Sequence, residues 1–148
     1  MDAALSYLTV RMRTVLEVEE KLDDLQYGEG DILTTVERLK ELNLINDTEY
    51  AREFVRSRLA TKPVSRQKLY MDLKAHKVPE ECIREALDDL PRETEADNAR
   101  SVAEKFWRQM GALEADVRRE RVLRRLMSRG FSTEGSLAAL RTVEEEEP

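Results

Sequence analysis

The sequence has one cysteine and one histidine, and that scarcity excludes a good deal of chemistry. Cys82 alone cannot form an intrachain disulfide, which points to a reducing compartment such as the bacterial cytoplasm. His76 and Cys82 are too few to assemble a His/Cys metal site, and as a nucleophile–base pair they would have to meet across Pro79. No GxxxxGK[ST] loop and no GxGxxG fingerprint is present to cradle a nucleotide. The chain is therefore expected to be no enzyme, with no catalytic residues, no metal site and no cofactor, so that any ATP-driven step belongs to a partner. No apolar run approaches the roughly 18 residues of a membrane helix. The amino terminus, with Asp2 and no basic stretch, does not read as a signal peptide. A cytoplasmic protein with no membrane partner is expected.

Glycine and proline are also sparse, at 5 and 4 residues, while the charged fraction reaches 38%, against about 25% in ordinary globular domains. Leu, Ala, Glu, Lys and Arg dominate. That combination predicts helices with thin apolar stripes and long charged outer faces rather than one deep core. The formal net charge of −6 weighs against a protein built only to coat nucleic acid, but the charges are segregated along the chain. From Arg52 to Lys77 eight basic residues (Arg52, Arg56, Arg58, Lys62, Arg66, Lys68, Lys74 and Lys77) face only Glu53 and Asp72. From Glu80 to Asp97 the sign reverses, with eight acids against Arg84 and Arg92.

The apolar pattern repeats. Val18, Leu22, Tyr27, Val36 and Leu39, shifted by 51 residues, fall on Leu69, Leu73, Val78, Leu87 and Leu90. Shifted by 104 they fall on Val122, Leu126, Phe131, Leu140 and Val143. The first pair in each set is spaced i, i+4, one face of a helix. The third member lies beyond a break marked by Gly28, Pro79 or Gly130, signals that stop or restart helices. A first helix precedes each pair, clearest where Tyr50, Phe54, Val55 and Leu59 make a stripe. The chain thus reads as all-α, three tandem three-helix repeats with about nine helices, forming an elongated, curved array.

Capping signals agree: Thr14 with Glu17 has the form of a capping box, and Asn46 with Glu49 a similar spacing. Helices are predicted near 3–12, 14–26, 30–43, 47–60, 65–76, 79–89, 94–110, 114–128 and 132–142. The repeats span 1–45, 46–91 and 92–143, with an acidic tail at 144–148 that is expected to fray.

Two basic sets are candidate contact surfaces. Arg52, Arg56, Arg66, Lys68, Lys74 and Lys77 would repel one another unless an acidic surface answers them, either the protein's own helix near 79–90 or a partner. The second set is Arg118, Arg119, Arg121, Arg124, Arg125 and Arg129 with only Glu120 interspersed; in it Arg118, Arg121 and Arg125 share a helical face by i+3 and i+4 spacing while Val122 and Leu126 face inward. Arginine forks suit carboxylates and phosphates better than lysine does. For both sets a merely solvated face is the competing account. Asp47 and Tyr50 read first as a helix cap and a core aromatic, with a partner-binding tip as the alternative. Phe106 and Trp107 read as core residues of the third repeat, with an exposed hot spot as the alternative.

The segment Asn46-Asp47-Thr48-Glu49-Tyr50-Ala51-Arg52-Glu53-Phe54-Val55-Arg56-Ser57-Arg58 resembles the signature that opens the middle repeat of the RecX family. Ala4, Leu5, Leu8 and Arg11, followed by Arg13, Thr14 and Glu17, are similar to that family's first helix, and Arg129-Gly130-Phe131-Ser132 to its last "Arg-Gly-Phe" turn. The likeness covers almost the whole chain. It departs at Lys62-Pro63-Val64-Ser65 and Ala75-His76-Lys77-Val78, where the family usually carries glycine. The resemblance implies a tandem of three-helix repeats that lies along the groove of a RecA recombinase filament on DNA, as a monomer, suppressing ATP hydrolysis and strand exchange in recombination, DNA repair and the SOS response. Contact with the single- or double-stranded DNA backbone is an additional expectation. A helical-repeat protein that binds DNA or RNA directly, and a plain protein-interaction scaffold, stand as the rival readings.

Overall fold

A computed structural model describes residues 1–146, leaving out the side chain of Arg92. Among the described residues the chain forms nine helices and no strand: α1 (Asp2–Val10), α2 (Val15–Asp24), α3 (Glu29–Glu41), α4 (Asp47–Thr61), α5 (Arg66–Ala75), α6 (Glu80–Asp88), α7 (Arg92–Gln109), α8 (Ala115–Ser128) and α9 (Thr133–Glu146). They group as three tandem three-helix repeats.

What makes the repeats alike is the turn that ends each second helix. Gln26, Lys77 and Gly130 stand at the two repeat shifts from one another, and all three have positive φ, at 68°, 64° and 90°. In each case the next residue's N–H reaches back to the second buried residue of the preceding helix: Tyr27 to the Leu22 carbonyl, Val78 to Leu73 and Phe131 to Leu126, at 3.1, 3.2 and 3.3 Å. The left-handed residue itself bonds three back, to Asp23, Lys74 or Met127. This is the Schellman arrangement, which satisfies the last helical carbonyls and reverses the chain toward the third helix. Lys77 occupies a place where the resemblance suggested glycine, and the backbone takes the left-handed conformation regardless. Asn43, φ 56°, closes α3 in the same manner, with the Leu44 N–H on the Leu39 carbonyl at 2.8 Å.

The start signals are equally local. Thr14 accepts from the Glu17 N–H at 3.1 Å while the Glu17 carboxylate accepts from the Thr14 N–H at 3.0 Å, a complete capping box on α2. Asn46 caps α4 by accepting from the Glu49 N–H at 3.1 Å. Asp47, expected to cap its own helix, instead reaches the start of α2, where its Oδ1 accepts from the Val15 N–H at 2.9 Å. Burial raises its carboxyl above the ordinary aspartate range, and the Val15 bond only partly opposes that.

Two compact units result. One comprises residues 1–54 with 72–87, the other residues 55–71 with 88 onward, so α4 and α5 each contribute to both. In the first, α1 packs on α2 and α2 on α3, burying Ala4, Val18, Leu22, Val36, Leu39 and Ile45. In the second, α7, α8 and α9 pack mutually around Val102, Ala103, Phe106, Trp107, Val122, Leu126, Phe131, Leu140 and Val143. Phe106 and Trp107 are therefore core. Each buried Val, Leu or Phe contributes about 1.5–3 kcal/mol of hydrophobic stabilisation.

Several expectations need correction. Tyr27 is 43% exposed although Val78 and Phe131 are buried; a phenol keeps its polar tip in water, whereas Val and Phe have none. Leu87 and Leu90 are only half-buried, and α6 instead buries Ile83 and Ala86. The helix ends at Asp88, so Leu90 lies past it and the inward face is presented one turn earlier. The acidic run expected to fray is helical through Glu146. Glu144 pairs with Arg119 and Glu146 with Arg100, which fastens the last turn to α8 and α7. Glu147 and Pro148, the rest of that tail, lie outside the described residues.

The turn geometry predicts opposite responses at equivalent positions. A Cβ on Gly130 would lie 2.8 Å from Lys68 Cβ and closer still to Ser65 Oγ, so Gly130→Ala should lower stability by about 1–3 kcal/mol in urea melts. Gln26→Gly relieves a left-handed strain of about 1–2 kcal/mol at a loss of about 0.5–1 kcal/mol in chain entropy, and should raise the urea midpoint slightly. Asp47 supplies a pH-dependent counterpart. Its raised carboxyl pKa means that the folded state prefers the protonated form, so ionisation above the carboxylate range lowers stability. Asp47→Asn keeps an acceptor for Val15 and should be at least as stable as the parent at pH 7, the difference vanishing below about pH 4, while Asp47→Ala should lose about 1 kcal/mol throughout.

Candidate functional site

Helix α8 carries five arginines against Asp116 and Glu120, and the packing decides which of them face outward. Val122 and Leu126 are fully buried, which by helical geometry turns Arg121 and Arg125 to the flank. Arg118, expected to share their face, does not. Its guanidinium lies 3.7 Å from the centroid of the Trp107 ring, and its Nε and Nη2 both donate to the Trp107 carbonyl, the former at 2.9 Å. That carbonyl is one of the last in α7, so Arg118 terminates the helix and covers its indole. The residue is part of the packing.

Arg121 and Arg125 are exposed and, among the described residues, form no ion pair. With Arg124, Ser128 and Met110 they line an open groove of about 440 Å³. Arg124 is answered by Glu120 at 2.6 Å, and the Ser128 hydroxyl donates to the Arg125 carbonyl at 2.7 Å. The Arg125 guanidinium rests 5.3 Å from the Phe106 centroid. Arg129, one helical turn farther on, rests 5.4 Å from the same ring and donates to the Pro63 carbonyl at 3.4 Å. Lys105 on α7 approaches that ring as well, at 5.4 Å. Burial, and secondarily the Arg125 charge, lowers the guanidinium pKa of Arg129 from its usual value; it remains a cation. Three like charges are thus gathered about the Phe106 ring, which is itself buried, so an anion would meet the cations and not the ring. Arg129 belongs to the same basic set in the sequence but was not placed on the face of Arg118, Arg121 and Arg125, although its i+4 spacing from Arg125 was there to be read.

The other expected cations divide differently. Arg66 donates to the Leu90 and Pro91 carbonyls at 2.6 and 3.2 Å and stands 3.8 Å from Glu95. It closes the α6–α7 connection. Lys68 lies half-buried in the first turn of α5, its N–H capped by Ser65 at 3.0 Å. Lys77 holds the left-handed turn and pairs with Glu20. Arg52 pairs with Glu49 at 2.7 Å. Arg56 and Lys74 are exposed and have partners of their own. In the first unit lie Arg52, Lys74 and Lys77; in the second lie Arg56, Arg66, Lys68, Arg118, Arg121 and Arg125. The sole histidine is occupied structurally: its Nδ1 is 3.4 Å from the Tyr50 hydroxyl and its ring 5.2 Å from Phe54. Among the described residues no group of three or more His, Cys, Asp or Glu is placed to hold a metal ion. No described helix is long and apolar enough to cross a membrane.

Comparison with known proteins agrees with this architecture repeat by repeat. Family models match residues 1–39 as "RecX, first three-helix domain", residues 46–87 as "RecX, second three-helix domain" and residues 93–135 as "RecX, third three-helix domain". The regulatory protein RecX of Prosthecochloris aestuarii is 32% identical over 136 residues, which is 90% of this chain and 86% of the relative. That of Bacillus subtilis is 28% identical over 145 residues, 98% of this chain and 55% of the relative. That of Levilactobacillus brevis is 29% identical over 97% of this chain and 54% of its own. The chain therefore spans about half the length of the latter two. The crystal structure of RecX from Lactobacillus salivarius superposes with a TM-score of 0.87 at 25% identity, covering 97% of this chain and 94% of that one. With three successive domain matches and a relative covered over most of its length, the chain belongs to the RecX family of regulatory proteins.

Proposed function

We propose that this protein acts by binding RecA-type recombinase filaments and restraining their ATP hydrolysis and strand exchange, as a cytoplasmic monomer in recombination and DNA repair. The three repeats, taken as 1–45, 46–91 and 92–143, are its working units. The observation that carries the reading, beside family membership, is the ridge of Arg121 and Arg125, exposed and without ion pairs among the described residues, and continued by Arg129. Arg52, Arg56, Lys74 and Lys77 form a second set of candidate contacts. Arg66, Lys68 and Arg118 support the fold that presents them.

The mechanism needs no reaction at this chain. A filament exists in more than one geometry, and a ligand with higher affinity for one of them shifts the population toward it. Arginine forks meeting carboxylates or phosphates on a filament supply that differential affinity, with charge-assisted bonds worth about 1.5–3 kcal/mol each. Direct binding to bare nucleic acid is the second reading, and the same ridge favours it. The net charge of −6 opposes it, because the chain as a whole is repelled by phosphodiester backbone.

Recombinase ATPase on single-stranded DNA should fall as this protein is added. Arg121→Glu with Arg125→Glu should raise the amount required by about tenfold or more, since about 1.4 kcal/mol is a factor of ten. No change in ATPase at a several-fold excess would remove the proposal. Co-sedimentation separates the two readings: recruitment should require recombinase–DNA filaments, whereas steeply salt-dependent sedimentation with DNA alone would favour direct binding. Arg118→Ala should act on stability, costing about 1–3 kcal/mol in urea melts through the uncapped carbonyl and bared indole, while Arg121→Ala should stay within about 0.5 kcal/mol of the parent.

A further inference from the structure

The first repeat carries a second groove, opposite in sign to the arginine ridge. It lies between α2 and α3, has a volume of about 350 Å³, and is lined mainly by apolar surface. Leu16 and Leu33 edge it and Ile32 floors it; Leu33 is 61% exposed. Exposed leucine on adjacent helices of one groove is an unpartnered apolar face.

Around that face stand Glu19, Glu20, Asp23 and Glu29. Glu20 is engaged by Lys77. Glu19, Asp23 and Glu29 have no ion pair among the described residues. The acidity is not demanded by the module. At a shift of 104 residues the third repeat has Leu123, Arg124, Met127 and Thr133 for Glu19, Glu20, Asp23 and Glu29, and Leu137 for Leu33. Leu137 and Met127 are exposed as Leu33 is. The third repeat thus keeps an exposed leucine without any of the four acids, so the three-helix module does not itself require the acidic rim.

We infer that this groove docks a basic amphipathic helix of a protein partner, with apolar side chains seated on Leu16, Ile32 and Leu33 and Lys or Arg side chains meeting Glu19, Asp23 and Glu29. A neutral apolar helix would bury those carboxylates without partners, which is strongly unfavourable. Nucleic acid and anionic bilayers are repelled by the rim. Cations on the occupant convert the same rim into charge-assisted contacts at the border of an apolar seat, the usual division of an interface. The ten residues of α2 extend about 15 Å at 1.5 Å per residue, which matches an occupant of about three turns. This surface lies on the first unit and is independent of the recombinase reading, so either stands if the other fails.

A fluorescein-labelled helical peptide with leucines at i, i+4 and i+7 and Lys or Arg elsewhere provides the probe, titrated against the full chain by anisotropy. Saturable binding is expected, weakened by about tenfold or more in the double variant Leu33→Ser, Glu29→Lys. Both positions are exposed, and circular dichroism checks that the variant folds. Methyl shifts on binding should centre on Leu16, Ile32 and Leu33. A peptide of the same composition with scattered leucines should bind far less well. Equal binding of that peptide, undiminished binding by the variant, or methyl shifts confined elsewhere would each overturn the inference. So would a dimer of the free chain, in sedimentation, that Leu33→Ser dissolves, because the occupant would then be a second copy.

Discussion

Everything in this chain depends on a single backbone device, the left-handed residue that ends the second helix of each repeat. At that point the last carbonyls of a helix have lost their partners and the chain has to reverse within two residues. The 6→1 bond from Tyr27, Val78 or Phe131 solves both problems at once. Because the bond lands on Leu22, Leu73 or Leu126, it ties the reversal to a residue already fixed in the core. The turn and the apolar seam therefore set each other's register, and three copies of the arrangement give three repeats.

The device tolerates different residues because its surroundings differ. Gln26 and Lys77 adopt positive φ at exposed positions where a side chain has room. Gly130 stands against Ser65 and Lys68, and there only the absence of a Cβ suffices. Conformational strain and steric space are separate demands, and only the third repeat imposes both. This explains how the chain departs from glycine at one of the turns and keeps the same fold.

Elements governed by near neighbours were legible in the sequence. The i, i+4 apolar pairs, the Thr14–Glu17 capping box and the Asn46 cap depend on residues within a few positions, so spacing alone disclosed them. Less legible were features set by distant parts of the chain. Asp47 caps a helix 32 positions away, Arg66 reaches carbonyls 24 and 25 residues on, and Glu144 and Glu146 find arginines on other helices. The candidate site shows the same divide. The basic stretches were visible as composition, but composition does not separate Arg118, turned onto Trp107, from Arg121 and Arg125, which remain in water. That separation follows from which side of α8 meets α7, a fact of tertiary packing.

The clasp of Arg118 on Trp107 has a use beyond architecture. Trp107 is the sole tryptophan, and it is buried in the core of the third repeat. The indole emission of the native protein therefore reports on the third repeat alone, while the four tyrosines, Tyr7, Tyr27, Tyr50 and Tyr70, all lie before it. The two intrinsic chromophores thus make it possible to follow the opening of the third repeat separately from that of the first two, in the unlabelled wild-type chain, and to learn whether they melt together.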